Sequence, residues 1–134
     1  MPMRRALLLA CLLFPPGAIP AGVSLNVFYC IYEERKCVSS DNPVSMERTD
    51  FLQLATMVLT GSKKNFIGFV DKSNTTLQFY LDRPDMVHVE IPVASRRGSL
   101  ASDISLRRAQ DIIASLSPPL STYESKLDLK FQKW

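Results

Sequence analysis

Histidine and tryptophan each occur once in this chain, glycine five times and cysteine three times. Each scarcity excludes something. A single histidine with dispersed cysteines cannot furnish a four-ligand metal site. Gly61 and Gly68 stand alone, so no glycine-rich loop is available to cradle a phosphate. Glu33, Glu34, Asp41, Asp82 and Asp85 lack the spacing of a calcium loop. No serine lies in a Gly-x-Ser-x-Gly elbow, and neither Cys30 nor Cys37 carries the local signature of a nucleophile. These gaps leave no residue set for a cofactor, a metal or an evident catalytic centre.

Charge of one sign is also missing. The 134 residues hold 16 basic and 13 acidic side chains, a net charge of +3. A dedicated nucleic-acid binder carries a concentrated basic patch, which this balance does not supply. The longest apolar run, Ala6 to Phe14, is nine residues. A bilayer span needs about 20, so stable membrane insertion is not expected.

The N-terminus speaks to location. Met1 to Arg5 is short and positive, the apolar run follows, and Pro15, Pro16 and Gly17 break any helix. Ala18-Ile19-Pro20-Ala21 then precedes Gly22. Basic, apolar, breaker and small residue is the layout of a secretory signal ending at Ala21. Leu8-Leu9-Ala10-Cys11 also has the local pattern of a lipoprotein cleavage site, with too few residues ahead of it for a full apolar region. Two readings stand for residues 1–21. As a signal they place the mature protein in the periplasm or outside the cell; as a disordered extension they leave it in the cytoplasm. An exported chain would keep Cys30 and Cys37 as an even pair, which invites a disulfide across a short loop.

Beyond residue 21 the pattern is that of one α+β domain, residues 22–134. Val23 to Glu33 alternates with apolar residues on both faces, the mark of a central strand. Ser39 to Pro43 is a loop by composition. Phe51, Leu54, Ala55, Val58 and Leu59 share one helical face over residues 45–60, with Ser45 to cap the helix and Gly61 to end it. Three strands follow at short spacing, 65–70, 75–82 and 86–93, and turns this short permit only antiparallel neighbours. Leu77, Phe79, Leu81, Val87, Val89 and Ile91 point inward. Ala94 to Ser102 reads as a polar loop. A second helix is predicted over 104–116, with Asp103 or Ser102 as cap and Pro118-Pro119 as stop. Leu127, Leu129 and Phe131 allow a last edge strand. The expected order is β-α-β-β-β-α: an antiparallel sheet of about four strands with two helices packed on one face.

The candidate site lies on the outward face of the meander. His88 shares that face with Met86 and Glu90, and the neighbouring strand offers Thr76, Gln78 and Tyr80. Such a Tyr-Gln-His-Glu group can support acid–base chemistry, or it can meet a partner. Arg96 and Arg97 can clamp a carboxylate or phosphate from their loop. The aromatic residues Tyr32, Tyr80, Tyr123 and Trp134 are of types favoured at interfaces. The candidate partner-binding residues are therefore Gln78, Tyr80, His88, Glu90, Arg96 and Arg97.

Asn65-Phe66-Ile67-Gly68-Phe69-Val70-Asp71, followed by Thr75-Thr76-Leu77-Gln78-Phe79-Tyr80, resembles the strand–turn–strand of small bacterial toxin-immunity proteins. Val89-Glu90-Ile91-Pro92 and the helix after it extend the resemblance over roughly residues 46–117. It implies a protein that inhibits a partner toxin by binding, with no chemistry and no cofactor of its own. The leading expectation is thus an immunity-like, protein-binding module. Two alternatives remain open: a small enzyme using His88 with Tyr80 or Glu90, and a secreted structural protein braced by Cys30–Cys37.

Overall fold

The structure, a computed structural model, describes residues 23–134. The signal-like segment 1–21, with Cys11, lies outside the described residues. Strand β1 (Ser24–Ile31) is followed by β2 (Lys36–Val38) and β3 (Val44–Glu47), then helix α1 (Arg48–Leu59). A meander of β4 (Phe66–Val70), β5 (Thr76–Arg83), β6 (Met86–Val93) and β7 (Gly98–Ser105) leads into α2 (Leu106–Ala114). A short helix α3 (Tyr123–Lys126) and strand β8 (Lys130–Lys133) complete the described chain.

All pairings among the described residues are antiparallel, in the order β2-β1-β4-β5-β6-β7-β8. The long β1 is interior: β4 pairs one of its edges, while β2 and β3 share the other, end to end. The expected sheet of about four strands with two packed helices is therefore wrong. Eight strands and three short helices are present among the described residues.

Each missed element has a physical reason. β2 and β3 are only three and four residues long, with mostly exposed side chains, so they carry no apolar alternation. Ser45, expected to cap the first helix, instead pairs with Asn26 in the sheet. The helix starts after Glu47, which makes no side-chain capping bond. The stretch expected as a polar loop is mostly β7. Its serines and Asp103 hide a strand whose helix-side positions are Leu100, Ser102 and Ile104. Asp103 consequently caps nothing; Ser105 caps α2, its Oγ accepting from the Arg108 N–H at 3.1 Å.

The meander is close to its sequence pattern, and β6 spans the residues its alternation predicts. Phe51, Leu77, Val89 and Ile113 share one core, as their spacing implies. Phe51 of α1 meets Phe69 of β4 edge-on at 5.2 Å, and Phe69 meets Phe79 of β5 at 6.1 Å. Leu120, Tyr123, Leu127 and Leu129 join the same cluster, so helices and tail cover one face of the sheet together. Tyr123, expected among the interface aromatics, is thus buried.

Two hairpins use the same turn. Tyr32–Glu34 and Ala94–Arg96 are single 3-10 turns, each closed by an arginine in the left-handed region, Arg35 (φ 53°) and Arg97 (φ 55°). Four residues then connect each strand pair, which explains how the Arg96-Arg97 segment joins two neighbouring strands. The β1–β2 turn is tied down by Asn65, which is fully buried. Its amide donates to Glu33 Oε1 at 2.9 Å and to the Val58 carbonyl, and its oxygen accepts from the Tyr32 N–H at 2.9 Å. Gly61 was expected to end α1 in a left-handed conformation. It does not: a Cβ there would strike the Glu33 carboxylate and the Asn65 amide, so its bareness makes room for that network.

Candidate functional site on the uncovered sheet face

Alternation sends the even-numbered residues of β1, β4, β5 and β6, and the odd-numbered residues of β7, to the sheet face that the helices leave uncovered. Register then joins residues far apart in sequence. Cys37 pairs with Cys30, Cys30 with Phe66, Phe66 with Tyr80, Tyr80 with His88, and His88 with Asp103. One straight row therefore crosses six strands. It begins at the Cys30–Cys37 disulfide, whose Cα atoms are 4.1 Å apart, and ends at an imidazole–carboxylate pair.

The rings in this row touch in succession. Phe66 lies 5.6 Å from Tyr80 and Tyr80 6.4 Å from His88, centroid to centroid. Phe28 and Tyr32 flank Phe66 at 6.2 and 6.4 Å. Tyr32 is 51% exposed, while Phe66, Tyr80 and His88 are half-buried.

A polar chain runs through the row. His88 Nδ1 stands 2.8 Å from Asp103 Oδ1, and Nε2 stands 3.4 Å from Glu90 Oε1. Gln78 Nε2 donates to Glu90 Oε2 at 2.6 Å and to the Tyr80 hydroxyl at 2.9 Å. An imidazolium can donate to both carboxylates at once; a neutral ring has one donor. Burial, the Glu90 charge and Tyr32 push the Tyr80 phenol above its ordinary range, against an opposing hydrogen bond from Gln78. Tyr80 thus meets the solvent as a neutral phenol.

Of the residues singled out from sequence, Gln78, Tyr80, His88 and Glu90 come together here. Arg96 and Arg97 do not. They sit at the far end of β6, where the Arg96 guanidinium stacks 4.0 Å over the Phe131 ring and Arg97 closes the turn. Asp103 and Phe66 stand in the same row and are not among the candidates singled out from sequence. Phe66 lies in a strand that the sequence shows, but its outer-face neighbours, Cys30 and Tyr80, follow only from register. In sequence Asp103 has the type and place of a helix cap; the twofold spacing of Leu100, Ser102 and Ile104 is the signal for its outward position.

Three hollows are pertinent. One of about 290 Å³ adjoins the row and is lined by Lys63, Lys64, Tyr80, Asp82 and His88. Another, of about 390 Å³, lies on the same face between Phe28, Ser40, Pro43, Gln78 and Pro92. The largest, about 630 Å³, is at the sheet's end beside Ser24, Asn26, Asp71 and Pro118-Pro119. Its one acid is already engaged: Asp71 accepts from the N–H groups of Ser73, Thr75 and Leu120 at 3.0, 3.0 and 2.8 Å. Size therefore does not mark the chemistry, and the row around His88 is the better site.

Among the described residues no group of three or more His, Cys, Asp or Glu side chains is placed to hold a metal ion. No helix among them is long and apolar enough to cross a membrane. The chain matches no family model, no curated protein and no solved structure.

Proposed function

We propose that this chain is a protein-binding module, an immunity-like inhibitor that neutralises a partner toxin by direct contact through the uncovered sheet face. The observation that supports it is the unbroken line of Phe66, Tyr80 and His88, flanked by Phe28 and Tyr32. The core is filled from the opposite face, so these rings are not needed to close it. Rigid aromatics beside a few fixed polar groups are the composition of an interface centre. The toxin-immunity resemblance over residues 46–117 points the same way.

The experiment is site-specific photocrosslinking in the native host, with the photoreactive residue at position 80 or, as control, at the exposed Gln53 of α1. A protein captured from position 80 alone should arrest growth when expressed by itself, and co-expression of this chain should relieve the arrest. Equal capture from both positions, or a captured protein without toxicity, removes the reading.

A second reading rests on the His88–Asp103 contact, which holds an imidazole as a general base requires. It lacks a nucleophile. Among the described residues His88 contacts no serine hydroxyl or thiol within hydrogen-bond range. Replacing His88 with alanine separates the readings: a hydrolytic or isomerising activity would vanish, whereas inhibition would be weakened in proportion to lost affinity.

A further inference from the structure

Taking the docking reading as its basis, we infer that the partner seats an arginine side chain on this row, beside Tyr80 and within reach of the Glu90 and Asp103 carboxylates. Two properties of the face select a cation. The π-faces of Phe66 and Tyr80 are electronegative and attract a guanidinium, which also stacks on them as a plane. Next to the rings stand two carboxylates that, among the described residues, pair with no lysine or arginine within 4 Å; their one basic neighbour is the His88 imidazole.

Asp103 keeps free acceptor capacity, whereas both Glu90 oxygens already face Gln78 and His88. Asp103 Oδ2 accepts no hydrogen bond among the described residues, and the Asp103 side chain is 56% exposed. Glu90 is held in place by Gln78 and His88, so its charge is fixed without being neutralised by a lysine or arginine.

The rim supplies the competing case. Lys63 and Lys64 line the adjoining hollow with Asp82, and an acidic partner group would be met there. Both lysines are exposed and lie ahead of β4. No ion pair or hydrogen bond within the described residues fixes their ammonium groups against the rings. The positioned charges at the centre of the row are negative, and they decide the complementarity.

The test uses three blocked tripeptides, Gly-Arg-Gly, Gly-Gln-Gly and Gly-Glu-Gly, titrated at low salt into the 15N-labelled protein. The arginine peptide should shift the amides of Tyr80, His88, Glu90 and Asp103, and the other two should not. The Glu90→Gln/Asp103→Asn variant should bind it about tenfold more weakly. Should that variant fail to fold, Asp103→Asn alone, at an exposed position, should show a loss in the same direction. Shifts produced by the glutamate peptide at Lys63 and Lys64, no shift with the arginine peptide, or shifts indifferent to the variants overturn the inference. Photocrosslinking separates this failure from failure of the docking reading. Undiminished capture at position 80 in the folded variant keeps the docking face and discards the arginine, whereas no capture in the unmodified background discards the face itself.

Discussion

The ring of Phe28 fills the space where Gly68, its direct partner across the β1–β4 pair, would carry a Cβ. The contact closes the interior strand β1 over β4 on the uncovered face, and it leaves Phe28 almost wholly buried although it points away from the core.

Gly68→Ala should therefore destabilise the fold, by about 1–3 kcal/mol, because a methyl group has nowhere to go without displacing a packed ring. Urea unfolding of the two proteins measures it. Equal midpoints would mean that Phe28 moves aside freely.

Asn65→Ala should cost about 2–4 kcal/mol, since the Tyr32 N–H and the Val58 carbonyl lose a buried partner together. The loss should appear as faster amide exchange at Tyr32. Unchanged protection there would show that the turn is held by something else.

Stability should fall at both pH extremes for identifiable reasons. Its own backbone N–H first, then the Asn65 amide and Ser62, hold the Glu33 carboxyl below its ordinary value of 4.5. A lowered folded-state value gives stability that is present above 4.5 and is lost as pH falls through the folded value. Glu33→Gln should flatten that acid arm. Tyr80 is raised above 10.0 by burial, so its contribution is present below 10.0 and is lost as pH rises through the folded value. Tyr80→Phe should flatten the alkaline arm. Melting temperatures across the pH range for the three proteins decide both signs.

Asp71→Ala should release the tail. Its carboxylate links the β4–β5 turn to Leu120, which lies 49 residues on and is fully buried. Losing an acceptor shared by three amides should cost about 2–3 kcal/mol, and the Leu120 amide should lose its exchange protection. Retained protection at Leu120 would contradict the link.

Replacing Cys30 and Cys37 with serine should destabilise by about 2 kcal/mol, the entropy released when so short a loop is no longer closed. Intact mass before and after reduction should differ by two hydrogens. Identical masses would mean that the thiols are free.

The uncovered face was partly legible in sequence. Clean alternation in β5 and β6 put Gln78, Tyr80, His88 and Glu90 on one side, because side-chain direction along a strand is a local property. The residues completing the row were not legible as a row. Cys37, Cys30, Phe66 and Asp103 join it only through register, and register depends on which strands become neighbours. Arg96 and Arg97 show the converse: an apt composition, placed by a turn at the wrong end of β6.

By itself the sequence determined the helical face of α1 and the inward set of the meander. Those properties follow from residue type and short-range spacing. Tertiary structure alone decided that a serine-rich stretch is a strand, that the sheet of the described residues has eight strands and that His88 stands between two carboxylates. β2 and β3 are too short and exposed, and β7 too rich in serine, to show apolar alternation, and all three are held by the neighbours they pair with.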